Sequence, residues 1–205
     1  MKSSDIADAA EKLTGQRSHM SQAIRLMAGG ALVGHAVTLQ LAKDENVSAM
    51  ALGLAVIRVI EAAPASSVLV MAVEEGSDFA AFGTTLAVLM KVRNLAGLVV
   101  DGSVRDVADL RQIQFPTFAR GLVPGSAGGH YKLASVNQPI TCGGLEVAPG
   151  ALIVGDEDGV AVVPEAREAD IIALGAKAQA EEAELLKRIR AAGSYLELLA
   201  AGTRD

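Results

Sequence analysis

Arg105 and Asp106 stand side by side at the end of an apolar run in LAGLVVDGSVRDVADL, residues 95–110. A guanidinium next to a carboxylate can do two kinds of work. As a structural pair, Asp106 would cap the helix that VADLRQI predicts, and Arg105 would pair with Asp101. As a reactive pair, the carboxylate offers one hard oxygen to a divalent cation that keeps several waters. The planar guanidinium then clamps a carboxylate or enolate oxygen bidentately. A strand end leading into a helix start is a natural place to expose such groups. Local chemistry leaves both readings open.

Other polar groups point to chemistry less directly. Asp156 and Asp158 in GDEDGV lie two apart and suit either a hard cation or a hairpin turn with Gly159 at positive φ. The turn is the simpler expectation. Glu181, Glu182 and Glu184 fall on a helical pattern whose spacing pairs them with Lys187 and Arg188. His19, His35 and His130 are separated from one another and from Cys142, with no zinc-ligand spacing. Of the three, His130 in the Gly-rich stretch GSAGGH is the one placed to line a pocket. Cys142 reads as a small buried hydrophobe. The turn at VVDGSVRDVADL lacks the G-x-G-x-x-G spacing of a dinucleotide fold, and no serine sits in a G-x-S-x-G elbow.

These residues need a frame. Residues 4–14 predict a short helix with Ser4 as its cap. ALVGHAVTLQLA predicts a strand, VSAMALGLAVIRVIEAA a helix ended by Pro64, and SSVLVMAVE a second strand. TTLAVLMKVRN predicts a buried helix leading into the strand AGLVVDG, then a short helix VADLRQI and a strand TFARGLV. This alternation argues for a parallel or mixed sheet with crossover helices. Residues 125–164 change texture to short strands and Gly/Pro/Asp turns, predicting a second sheet packed on the first. A long charged, Ala-rich helix then runs to about Ala192, ended by Gly193 and followed by the turn SYLELLA.

Composition limits the remaining choices. The chain has 205 residues, which fits one domain, 1–205, with a sizeable core. It is 51% hydrophobic but only 3% aromatic, so the core is built from Ala, Val and Leu around abundant Gly. A net charge of −6 without a Lys/Arg block argues against nucleic acid as a partner. The longest apolar stretch, residues 49–63, is broken by Arg58 and Glu61, which argues against a membrane span. One cysteine and no apolar leader predict a reducing, cytoplasmic setting. An apolar, Ala-rich surface predicts association rather than a monomer.

Along nearly its whole length the chain resembles the RraA-like family. That family includes the class II 4-hydroxy-4-methyl-2-oxoglutarate aldolases and the ribonuclease E regulator RraA. GGALVGHAVTL is similar to the family's early strand, and AAPASSVLVMAV stands where the family has a-PGdVlVvd. FGTTLAVLMKVRNLAGLVVDGSVRD resembles wGellataAkarGvaGvVvDGavRD, and GDEDGVAVVP follows at the family's separation. Members also carry a demethylmenaquinone methyltransferase label, but no methyl-donor loop is visible here.

The resemblance implies an α/β fold, a layered β/β/α sandwich of the swivelling-domain type with a long C-terminal helix. It implies a homo-oligomer, a trimer or a dimer of trimers, with active sites between subunits. It implies a lyase that cleaves a 4-hydroxy-2-oxo acid to pyruvate, with oxaloacetate decarboxylase activity by the same electron flow. Asp106 would then bind Mg²⁺ or Mn²⁺, and Arg105 would contact the pyruvate moiety and act in catalysis. Backbone amides after Gly83, at Thr84, Thr85 and Leu86, would hold the substrate carboxylate. Glu181 or Glu182 would reach a neighbour's site from the C-terminal helix. The alternative implied by the same resemblance is a non-catalytic regulator that binds ribonuclease E or another protein. This sequence departs from the family's aldolases at Thr84, where they carry an acid that orients metal-bound waters. It departs again at AKDEN, residues 42–46, where the family has PGDN.

Overall fold

The computed structural model describes residues 2–76 and 78–202. In chain order the elements are α1 (Ser3–Thr14), β1 (Arg25–Ala28), β2 (Leu32–Lys43), α2 (Ala49–Ala62), β3 (Val68–Val73), β4 (Ala80–Phe82) and α3 (Thr84–Val92). There follow β5 (Gly97–Val104), α4 (Val107–Gln112), β6 (Thr117–Leu122), β7 (Tyr131–Val136), β8 (Ile140–Cys142) and β9 (Leu145–Val147). The chain continues through β10 (Leu152–Asp156), β11 (Gly159–Val163), α5 (Glu168–Ala192) and α6 (Tyr195–Gly202).

Apolar runs become central strands because both of their faces are covered. All six residues of β3 are buried. Its alternate side chains serve two cores: Leu69, Met71 and Val73 pack under α2 and α3. Val68, Val70 and Ala72 face the other way, toward Phe118, Ile153 and Val160. The strand order is β1-β6-β5-β3-β2-β10-β11. The pairs β2·β3, β3·β5 and β5·β6 are parallel, while β10 joins β2 and β11 joins β10 in antiparallel sense. Met20 N donates to Val160 O at 2.8 Å and Val162 N to Ser18 O at 2.7 Å. The segment entering β1 thereby reaches β11, and the sheet is nearly closed.

The expected α/β fold with its long C-terminal helix is present, and three local expectations change. β10 and β11 do not form a second sheet; they extend the first, and β8 with β9 makes a separate two-stranded sheet. β1 was not expected as a strand, because its four residues are too few to display an alternation; pairing with β6 decides it. Ser4 is not the cap of α1. Lys2 holds that position, and the helix start is tied down by Asp156, which accepts from Ser3 N at 2.7 Å and from Ser3 Oγ at 2.6 Å.

Asp156 therefore answers one question from the sequence in favour of the turn. Asp158 N donates back to its Oδ1 at 3.0 Å, and Gly159 takes φ +142°. Burial pushes the Asp156 carboxyl up, but the hydrogen bonds from Ser3 and the turn amides outweigh it and hold it below the ordinary carboxylate value. A carboxylate with a depressed folded value contributes stability above its unfolded pKa, near ~3.9, and loses that contribution as pH falls through the folded value. Asp156→Ala is expected to cost about 1–3 kcal/mol at neutral pH by thermal or urea unfolding. The difference from wild type should shrink in acid; a constant difference would count against the charge-assisted clamp.

Candidate active site

Two strand-to-helix junctions lie next to each other because β4 and β5 are parallel neighbours. Ala80 pairs with Ser103 and Phe82 with Val104, and Arg105 N donates to Phe82 O at 3.0 Å. β4 therefore ends at Phe82 and α3 starts at Thr84, beside the place where β5 ends at Val104 and α4 starts after Asp106. Two short helices begin at the C-terminal ends of adjacent parallel strands, where α/β sheets hold ligands.

The junction after β5 is bent by Asp106 itself, at φ 58° and ψ 34°. Aspartate tolerates this left-handed conformation better than most side chains. The bend has a consequence that local sequence did not reveal. Asp106 occupies the cap position of α4, yet its side chain makes no cap hydrogen bond there. It turns toward α3 instead, and its Oδ2 accepts from Thr84 N at 3.2 Å. A carboxylate at the start of α3 satisfies one amide without an intrahelical acceptor and lies at the positive end of the helix dipole. Arg105 Nε stands 3.6 Å from the same oxygen, and both side chains are half exposed.

The structural pairing expected for Arg105 is thus corrected. Asp101 pairs with Arg120 and accepts from Gly143 N at 2.7 Å, which leaves Arg105 with Asp106. Asp101 lies within β5 and Arg105 follows its end, so about four residues of extended chain, roughly 13 Å, separate them.

Gly83 is required by space. Its backbone is extended, at φ −162° and ψ −170°, which any residue adopts. A Cβ there would lie 2.5 Å from Asp106 Oδ2, 3.1 Å from Arg105 Cγ and 3.3 Å from Arg105 Nε. The missing side chain is what lets the Arg–Asp pair close over the start of α3. Around this contact is a small open cavity of about 100 Å³, lined by Gly83, Thr85, Leu86, Arg105, Asp106 and Ser126, among others.

The structure therefore brings Gly83, Thr84, Thr85, Leu86, Arg105 and Asp106 together. The Thr84 amide is engaged by Asp106, and the amides of Thr85 and Leu86 belong to the first turn, which has no intrahelical acceptors. Glu181 and Glu182 do not join them within one chain. Glu181 pairs with Lys177 at 3.8 Å and Glu182 with Lys2 at 2.9 Å. Glu184 pairs with Lys187 at 3.2 Å, as the helical spacing predicts.

Two residues at the junction escaped sequence reasoning. Ser126 arrives from the Gly-rich stretch through pairing of residue 126 with Ala80; nothing local announced it. Asp109 accepts from Thr84 Oγ1 at 3.3 Å. Its signal was legible, since RDVAD puts Asp109 in the first turn of the helix that begins after Asp106.

The donor set admits a hard cation in one form. No group of three His, Cys, Asp or Glu side chains converges among the described residues. Asp106 is the carboxylate lining the cavity. Mg²⁺ is commonly held by one or two carboxylates, with waters and substrate oxygens completing the octahedron, and that arrangement fits. A closed all-protein cage does not.

The remaining candidates lie elsewhere. His130 does line a cavity, of about 350 Å³, and stacks on Phe79 with ring centroids 3.8 Å apart. His35 Nε2 is 3.0 Å from Glu168 Oε2. Cys142 is buried, and burial pushes its thiol well above its ordinary pKa, as expected of an inert core residue. No helix of the described residues is long and apolar enough to cross a membrane.

Comparison with known proteins follows the same lines. The family model for RraA-like proteins, described as Aldolase/RraA, matches residues 3–162. A Halalkalibacterium halodurans protein provisionally named 4-hydroxy-4-methyl-2-oxoglutarate aldolase is 33% identical over 196 residues, covering 94% of this chain and 88% of that one. A crystal structure from Pseudomonas syringae pv. tomato superposes with a TM-score of 0.84 at 25% identity, over 97% of this chain and 92% of that one. Streptomyces coelicolor RraAS2, described as an unusual member of the RNase ES inhibitor RraA protein family, superposes with a TM-score of 0.77 at 26% identity, covering 92% of each chain.

Proposed function

The chain belongs to the RraA-like family, and on that premise we propose that it is a divalent-metal-dependent lyase of the pyruvate class. Its substrate is a 4-hydroxy-2-oxo acid, such as 4-hydroxy-4-methyl-2-oxoglutarate, and oxaloacetate is decarboxylated at the same site. The observation that carries this reading is the packing of Arg105 and Asp106 against Gly83 and the first turn of α3, in one small cavity.

Each residue has a task. The amides of Thr85 and Leu86 receive the substrate carboxylate at the positive end of α3. The Arg105 guanidinium lies beside the 2-oxo oxygen. Asp106 holds Mg²⁺ or Mn²⁺, which when bound supplies Lewis-acid polarisation of the 2-oxo group. A water takes the proton of the 4-hydroxyl as the C3–C4 bond breaks, and C4 leaves as a carbonyl carbon (as carbon dioxide from oxaloacetate). The bond's electron pair forms a C2–C3 enolate with its charge on the 2-oxo oxygen, and protonation at C3 gives pyruvate. The fixed positive charge of Arg105 favours that developing charge without reorganising. The reading also carries a homo-oligomer, trimer or dimer of trimers, with sites between subunits. Exposed Met50 and Leu54 on α2 and Val88 and Val92 on α3 are the kind of apolar surface that association covers.

The test is turnover of oxaloacetate followed by pyruvate release. Mg²⁺ or Mn²⁺ should give turnover above the metal-only background, and EDTA should remove it. Failure of both metals with oxaloacetate and with 4-hydroxy-4-methyl-2-oxoglutarate would sink the enzyme reading. Two observations favour a second reading, a non-catalytic protein that binds a ribonuclease. Thr84 supplies no negative charge at the start of α3, and the fold is similar to that of Streptomyces coelicolor RraAS2. Direct binding to a purified ribonuclease E, with no turnover, would support that reading.

A further inference from the structure

Asp109 has no part in the proposed mechanism, yet it contacts Thr84, the residue that opens the turn carrying the Thr85 and Leu86 amides. Asp106 Oδ2 accepts from Thr84 N, and Asp109 Oδ2 accepts from Thr84 Oγ1, at 3.2 and 3.3 Å. The first residue of α3 is therefore held at its backbone by the carboxylate at the cap position of α4, and at its side chain by a carboxylate in that helix's first turn. At the other end of the pair, Lys91 Nζ donates to Ile113 O at 2.7 Å. Lys91 lies in the last turn of α3, and Ile113 caps the C-terminus of α4. The two helices are thus tied at both ends. The tie at Thr84 is the one next to the cavity.

We propose that Asp109 is a positioning residue of the oxo-acid site. Through the Thr84 hydroxyl it fixes the first turn of α3 against Arg105 and Asp106, and so sets affinity for the substrate carboxylate. The inference rests on reading the Thr85 and Leu86 amides as the carboxylate cradle. Rotation of that turn would move the Thr85 and Leu86 amides relative to the guanidinium. Binding of the 2-oxo acid would weaken while the groups that carry the chemistry remained in place. A threonine at this position is then an attachment point for Asp109.

The experiment uses the full chain, pyruvate as the binding probe with Mg²⁺ present, and oxaloacetate as substrate. Asp109→Ala and Thr84→Val should each raise the pyruvate Kd and the oxaloacetate KM by about two- to tenfold, the range of one hydrogen bond. In Asp109→Ala, kcat should fall less than KM rises. Thr84→Ser should recover most of the affinity that Thr84→Val loses. The double variant Thr84→Val/Asp109→Ala should be no weaker than Thr84→Val, because both changes remove the same contact. A general packing role would lower the melting temperature and leave Kd, KM and the serine rescue unmoved. Wild-type binding of pyruvate with an unchanged Kd in Asp109→Ala overturns this inference and leaves the lyase reading standing. Additive losses in the double variant overturn it as well. No pyruvate binding and no turnover by the wild type remove both.

Discussion

Arg105→Ala is expected to lower kcat/KM for oxaloacetate by about 10²-fold or more, with little change in melting temperature. The two halves of that expectation have separate causes. The Arg105 side chain is half exposed, and its ion pair with Asp106 at 3.6 Å is solvated on both sides. Exposed pairs of this kind contribute ~0–1 kcal/mol to stability. In the lyase reading, the same charge faces an oxygen that becomes negative only as the carbon–carbon bond breaks, so its loss falls on the transition state. Arg105→Lys should recover only part of the activity, because an ammonium lacks the planar fork. Steady-state kinetics alongside thermal unfolding checks both halves. Wild-type kinetics in Arg105→Ala would remove Arg105 from the mechanism, and a large drop in stability would show that the pair is structural.

Gly83→Ala adds one methyl group and is expected to cost about as much activity, on the order of 10²-fold, while the protein still folds. The backbone at Gly83 is already extended, so alanine meets no torsional strain. The new Cβ instead would stand 2.5 Å from Asp106 Oδ2 and 3.1 Å from Arg105 Cγ. Those atoms belong to half-exposed side chains, which swing away more readily than backbone. One substitution therefore displaces both the carboxylate and the guanidinium. Kinetics with oxaloacetate, together with a melting curve, tests this. Full activity in Gly83→Ala would mean that the close packing of the pair on α3 is not needed for turnover.

The parts of this site that were legible in the sequence are those that depend on short-range pattern. VVDGSVRDVADL announced a strand running into a helix with two charges at the joint, and GTTLAVLMKV announced another helix start. The resemblance to RraA-like proteins links the two stretches and points to Arg105, Asp106 and Gly83. Asp156 was legible as a turn residue. Its reach to Ser3, across most of the chain, was not, because a carboxylate's partner in a distant helix leaves no trace in the residues around it. That β10 and β11 extend the first sheet, leaving only β8 and β9 in a separate one, was hidden for a similar reason. Short strands carry little information about which edge they join, and β10 found its edge on β2.

The sequence by itself determined the types of the longer elements, the small-aliphatic core and the residues able to do chemistry, since these follow from side-chain identity and from periods of two and 3.6. It also determined that Thr84 stands at the head of α3 without a charge of its own. Only the tertiary structure decided what that position does. The parallel pairing of β4 with β5 set two helix starts side by side, and the left-handed turn at Asp106 aimed its carboxylate across the gap rather than along its own helix. Asp109 then met the Thr84 hydroxyl. Contacts of this kind depend on how strands pair and where a backbone bends, and residues far apart along a chain do not encode that geometry locally.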